Sequence, residues 1–216
     1  MEELLEKINA AQYSSSSRHG LALDFTFFEQ DTGIDARLML NSLKARPDGA
    51  EVYLNRVGGG WELRASKGDN RLVRAFTPVA SIGKGPKSWR VDHEYFYLEE
   101  GLRGGGRAKR ALLDQFKAYS KSGRVEGVDI HAALANGAYT WARFGFVPTK
   151  GSWGDLVDRI ERHAKVQGNT PAWKFAADLD KDRPKDLWDF ADSKYGAKYL
   201  PGKHWHGSFE QCVHWS

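Results

Sequence analysis

Three consecutive glycines, Gly104-Gly105-Gly106, lie between an alternating segment and a helical one, and they constrain the fold more than any other stretch. The segment before them, Trp89 to Leu98, alternates in the manner of a strand. In the segment after them, residues 107–121, Ala108, Ala111, Leu112, Phe116 and Tyr119 recur at helical spacing. A glycine-rich turn from strand into helix aims several backbone N–H groups at one point, where the helix dipole adds partial positive charge. That arrangement suits a phosphate or pyrophosphate. Arg103, Arg107, Lys109 and Arg110 add charge of the matching sign.

Two familiar phosphate loops do not fit. A P-loop needs Lys and a hydroxyl residue after its second glycine, whereas Arg107-Ala108 follow Gly106. No group is offered to magnesium, which sets nucleotide triphosphate hydrolysis aside. A dinucleotide fingerprint needs a third glycine where Lys109 stands. What remains is the spacing Arg103-x-x-Gly106-x-Ala108. A second pattern follows a short strand, Val125 to Ala132, and a helix over 134–144. It reads Tyr139-Thr140-Trp141-Ala142-Arg143-Phe144-Gly145-Phe146-Val147-Pro148.

These two patterns, in this order, resemble the GNAT acyltransferase superfamily. Its members carry Gln/Arg-x-x-Gly-x-Gly/Ala between the fourth strand and the next helix. They close the following helix with an aromatic, three residues and Gly-Phe. The resemblance covers residues 86–148 and says little about 150–216. It implies an α/β (α+β) fold: a mixed, mostly antiparallel central sheet flanked by helices, with a C-terminal helical appendage. The expected organisation is an N-terminal helix and Ser-rich linker over 1–17, an acyltransferase core over 18–150, and an appendage over 151–216.

The resemblance also implies chemistry. A GNAT enzyme holds acetyl-coenzyme A beside an amine, which attacks the thioester directly, so the gain comes from juxtaposition and from polarising the carbonyl. Main-chain atoms at Phe96 and Leu98 match the end of the fourth strand, which binds that carbonyl. Arg103, Gly104, Gly105, Gly106, Arg107, Ala108 and Lys109 match the loop that grips the pyrophosphate. The amine must lose a proton, and Glu94 and His93 on the central strand are the candidate bases. His131, at the end of the next strand, is an alternative.

The thiolate's usual proton donor is a Tyr four residues before the Gly of Gly-Phe. Here that position is Trp141, whose indole is no acid near neutral pH. Tyr139 is the nearest candidate, about 200° around the helix from Trp141. This departure keeps open a GNAT-like module that binds without catalysing. A nucleic-acid-directed member, acting on a tRNA or a modified base, is a third reading. The second pattern also looks similar to stretches in phage-associated and mobile-element proteins, and the expected place of action, for want of a signal-peptide or membrane segment, is the cytoplasm, a host's if the chain is phage-encoded. The acceptor amine, on a protein, small molecule or nucleic acid, is not legible.

Composition agrees. With 216 residues, 41% of them apolar, the chain can bury a good-sized core. No apolar run reaches the length of a membrane span, and Met1 to Ile8 lacks a signal-peptide pattern. The net charge of +4 is spread along the chain, which does not favour a nucleic-acid tail. Cys212 is the single cysteine, which excludes an internal disulfide. His204-Trp205-His206 and Cys212-Val213-His214 hold zinc-type ligands, but their spacing matches no zinc module, and no metal is expected.

Before the glycine run the pattern reads as strands: Leu21 to Phe28, Ile34 to Leu43, Ala50 to Val57, Trp61 to Ser66, Arg71 to Val79 and Ser88 to Leu98. Gly58-Gly59-Gly60 marks a hairpin turn. Beyond Pro148, three helical stretches are expected over 153–164, 171–179 and 184–195, the last two with proline near their starts.

Overall fold

Hydrophobic spacing decides the first elements. In the computed structural model, which describes residues 2, 18–43, 49–79, 87–98, 100, 106–133 and 137–210, the helices α1 (Arg18–Thr32) and α2 (Ala36–Ser42) come first in the continuous description, and the helix and Ser-rich linker expected over 1–17 lie outside the described residues but for Glu2. Both α1 and α2 lie where strands were expected, and this is a correction. Leu21, Leu23, Phe25 and Phe27 alternate, but Leu21, Phe25, Phe28 and Thr32 also fit a helical stripe. The helix wins because it buries the bulky Phe28 with Leu21 and Phe25, leaving Leu23 and Phe27 exposed. Asp35 caps α2, its carboxylate accepting from the N–H groups of Arg37 and Leu38. Burial pushes that carboxyl up. Its bonds to Lys121, at 2.9 Å, and to Arg37 outweigh this and hold it well below the usual carboxylate range.

Contacts divide the chain into two units, Met1–Val128 with Glu210–Ser216, and Asp129–Phe209. The first holds α1, α2, the strands β1 (Glu51–Val57), β2 (Gly60–Lys67), β3 (Asn70–Val79) and β4 (Ser88–Tyr97), and the helix α3 (Arg107–Ser122). β5 (Val125–Ala132) begins in this unit and ends in the other. The strand order here is β1-β2-β3-β4-β5, and β1 to β4 form an antiparallel meander. Its first turn is Gly58-Gly59, both at positive φ, as a two-residue hairpin turn with a right-handed twist requires. The expected strands from Ala50 onward are therefore present, and the overall class is the expected mixed, mostly antiparallel α/β.

The core of this unit is aromatic. The Phe28 ring meets Phe76, Trp61 and Phe25 edge-on, with centroids 4.9, 5.8 and 6.4 Å away. Phe76 in turn meets Tyr119 of α3. One helix, two strands and a second helix are thus joined through one cluster.

The second unit holds α4 (Gly137–Arg143), β6 (Val147–Pro148), α5 (Lys150–Val166), α6 (Thr170–Ala177), α7 (Asp186–Asp192), α8 (Gly196–Tyr199) and β7 (Trp205–Glu210). Its strand order is β5-β7-β6, with Val147 opposite Ser208 and Pro148 opposite Gly207. A Cβ at Gly207 would collide with the Trp205 ring and the Val147 carbonyl. The expected helical region after Pro148 is borne out. Thr149 caps α5, Asn169 caps α6, and Pro171 stands in the first turn of α6. Indoles tie the helices together: Trp153 donates to the Asp180 carbonyl, Trp188 to that of Phe146, and Trp173 to Glu161. Among the described residues, no helix is long and apolar enough to cross a membrane.

Replacing Phe28 with Ala removes the ring on which the aromatic cluster converges. The expected loss is about 3–5 kcal/mol of unfolding free energy, measured by urea denaturation. A loss below about 1 kcal/mol would mean that α1 is not packed on β2 and β3.

Candidate functional site

The junction of β4 with α3 carries most of the residues named from the sequence. Arg103, Gly104 and Gly105 lie outside the described residues, as do Leu102, Cys212 and His214. Gly106 is the N-cap of α3, with φ 69°, a left-handed conformation that favours glycine. It offers no side-chain cap, and the first turn holds no acidic residue. The first helical bond runs from the Arg110 N–H to the Gly106 carbonyl, at 2.9 Å. The N–H groups of Arg107, Ala108 and Lys109 precede it and have no helical acceptor. Arg107, Lys109 and Arg110 are exposed, and Ala108 is half-buried. A helix end with this composition attracts an anion through amides, dipole and side chains together.

β4 is irregular where the candidate bases stand. Val73 pairs with Tyr95 but Ala75 pairs with Asp92, so His93 and Glu94 both span the single residue Arg74. This is a β-bulge, a device that re-aims side chains and sharpens the local twist. Glu94 is exposed. His93 points the other way and is 2% exposed. Phe96 is half-buried beneath the Arg74 guanidinium, 5.5 Å from its ring centroid, and Leu98 is buried.

Under the bulge lies a buried polar chain. Arg74 donates from Nε to Gln115 Oε1 at 3.0 Å and from Nη1 to its neighbour's carbonyl on Val73. Gln115 donates to the Ser42 hydroxyl at 3.2 Å. Arg74 also hydrogen-bonds Tyr119, whose hydroxyl lies 3.1 Å from His93 Nε2. The hydroxyl and Nε2 share one hydrogen bond, whose direction follows the tautomer of the neutral imidazole. Burial lowers Arg74 to about 10, against the opposing pull of Tyr119 and Asp92. Burial, and then the Arg74 charge, hold His93 well below the ordinary imidazole value. His93 stacks on Phe116, with rings 6° from parallel. It is a core histidine, closed to an incoming amine.

Arg74 was absent from the sequence reading, yet its signal is there. It shares period two with Leu72 and Phe76 on the inward face of β3. Gln115 is likewise the polar residue within the apolar stripe of α3.

The remaining candidates belong to the second unit. Tyr139 is half-buried on α4. Trp141 is buried, with the Phe146 and Phe144 rings 5.1 and 6.3 Å away. His131, at the end of β5, stacks on His206 of β7, with ring centroids 4.1 Å apart and His204 6.4 Å away. Burial, then His206 and His204, lower the His131 imidazole. Among the described residues, no three His, Cys, Asp or Glu side chains are grouped to hold a metal ion. No family model matches the chain, and comparison with curated proteins and with solved structures finds no match.

His93 gives stability a pH dependence of known sign. Above the unfolded-state value of about 6.5, both states are neutral and this contribution is fully present. Below it, the unfolded chain takes a proton that the buried ring does not, so stability falls as pH falls toward the lower folded-state value. His93→Leu is expected to flatten that slope by up to about 1.4 kcal/mol per pH unit. Urea unfolding of both proteins between about pH 5 and pH 8 measures it. Equal slopes would show that the folded core accepts the proton.

Proposed function

We propose that this protein is a GNAT-type N-acyltransferase that moves an acetyl group from acetyl-coenzyme A to an amine. One observation carries the reading. The fourth strand of the meander leads through Arg103-x-x-Gly106-x-Ala108 into a helix whose first turn is uncapped by side chains and free of acidic residues. The bulge in that strand is in keeping with it, since a bulge re-aims side chains, and Glu94 there is exposed. The family places one or two helices after its first strand to line the acceptor site, and α1 and α2 depart from this by lying ahead of β1.

The amine nitrogen attacks the thioester carbon, and main-chain N–H at the end of β4, around Phe96 and Leu98, stabilises the oxyanion. The C–S bond breaks, and the ammonium proton passes to Glu94, directly or through water. Glu94 takes this role over His93 because it is exposed while His93 is buried. The thiolate is a low-pKa leaving group and takes its proton from water. Trp141 at the family's Tyr position favours a second reading, a domain that binds acetyl-coenzyme A without acetylating. The place of action proposed is the cytoplasm.

Calorimetric titration with acetyl-coenzyme A, followed by thiol release with a panel of amines, separates these readings. Binding is expected, and the double change Arg107→Glu with Lys109→Glu is expected to weaken it at least about tenfold. Glu94→Gln is expected to leave binding unchanged and to slow thiol release about a hundredfold or more. Binding without thiol release from any amine would select the second reading. No binding at millimolar concentration would overturn both.

A further inference from the structure

The second unit contains an open cleft of about 420 Å³, a volume within the range of small-molecule sites. Its chemistry is cationic. One wall is a single face of α5, where Ser152, Arg159 and Arg162 follow one another at helical spacing. The floor is the start of β7, with His204 and His206, and His131 at the end of β5. All three imidazoles are exposed. The His206 N–H donates to Ser152 Oγ at 3.1 Å, which fixes the strand against the helix.

Among the described residues, neither arginine forms an ion pair with a carboxylate. Arg159 donates from Nε to the Asp155 carbonyl at 3.1 Å and from Nη2 to the His204 carbonyl. These bonds orient the guanidinium and leave its charge in place. Arg162 is exposed and makes no ion pair among the described residues. Two acids also line the cleft. Asp158 is committed to Lys181, leaving Asp155 as the opposing charge. On the far side of the two arginines, Lys203 lies 3.3 Å from His163 Nδ1 and is held below the usual ammonium value by burial and then by Arg159. Cations are crowded here, and the His131–His206 stack brings two protonatable rings into contact. An anion between the rings and the arginines relieves that repulsion.

We propose that this cleft binds the phosphate group of a small phosphorylated ligand. Arg162 and Arg159 grip its oxygens, and the imidazoles of His131 and His206 donate to it. A tetrahedral phosphate suits donors that converge from a helix and two strand ends, and the guanidinium fork matches its oxygens.

The full chain is titrated with inorganic phosphate, with a nucleoside monophosphate and with a short single-stranded oligonucleotide, while the histidine ring-proton NMR signals are followed. The expected result is saturable binding of the two small ligands. It should come with an upward shift in the titration midpoints of His131 and His206, because a bound anion favours the charged ring. Asp155, Asp158, Arg159, Arg162 and His204 are the other charged and titratable groups lining the cleft, and they act on these midpoints in both states. Arg162→Gln, an exposed change, is expected to weaken binding about tenfold or more. Lys174→Gln, exposed on α6, is expected to leave it unchanged. Tighter binding of the monophosphate than of phosphate points to an ester ligand, and the reverse to the free anion. Absence of saturation by either small ligand overturns the proposal, as does equal binding by Arg162→Gln. So does a strong preference for the oligonucleotide with a steep salt dependence, which would assign the cleft to a nucleic-acid backbone.

Discussion

A guanidinium without access to water sits at the centre of the first unit, and much of that unit is arranged around it. Arg74 is 0% exposed, on a strand face it shares with Leu72 and Phe76. A buried cation is tolerated only when hydrogen bonds replace its hydration, and removing one neutral partner from such a group costs about 1–3 kcal/mol or more. The partners come from two places in the chain. Gln115 and Tyr119 lie one turn apart on α3, and the Val73 carbonyl is local. Gln115 extends the chain to Ser42 at the end of α2. The charge thus specifies the pairing of α3 with β3, because sliding either element would strip Arg74 of its partners.

The same charge accounts for the irregularity of β4. Two residues of β4 face one residue of β3, and that residue is Arg74. Of these two residues His93 faces inward to Tyr119 and Glu94 lies outside, as alternation along a strand requires. The neutral state of His93 follows from the same source, since a second cation beside Arg74 would be doubly penalised. Helix α3 carries the constraint further. Gln115 lies nine residues beyond Gly106, about 13 Å along the axis. A helix fixed in rotation and depth by buried hydrogen bonds presents its first-turn amides at a fixed place. A site built on amides needs that, because main chain cannot adjust as a side chain does.

Legibility in the sequence followed how local the deciding interaction was. Helix α3 was readable because its apolar stripe and its glycine ends lie within the segment, and the structure extends the expected 107–121 by one residue, to Ser122. The hairpin at Gly58-Gly59 was readable because positive φ is a local demand. Residues 21–28 were misread because their apolar positions satisfy both periods. Only the pocket formed by Trp61 and Phe76, distant in sequence, selects the helix that delivers Phe28. Alternation was enough to set His93 and Glu94 on opposite faces, but not to say which is buried, since that required knowing that α3 covers the face of His93. The meeting of His131 with His206 was not legible at all. It depends on β7 returning to lie between β5 and β6 after four helices.

The two cationic places in this chain differ in a way that bears on what each can recognise. At the start of α3 the donors named are main-chain N–H groups, with flexible, exposed cations around them. Their attraction for an anion is nearly independent of pH, because neither amides nor guanidinium groups titrate near neutrality. In the site proposed in the cleft of the second unit the donors are side chains, among them the imidazoles of His131 and His206. Burial, and then His206 and His204, lower the His131 imidazole, a group whose ordinary titration falls near neutral pH. An anion at the first place is held by geometry. At the second it must also bring the charge that keeps adjacent imidazoles protonated, so affinity there is linked to proton uptake. A ligand bearing phosphates of one kind will therefore distinguish the two places by pH alone, even where the contacts it makes are equal in number.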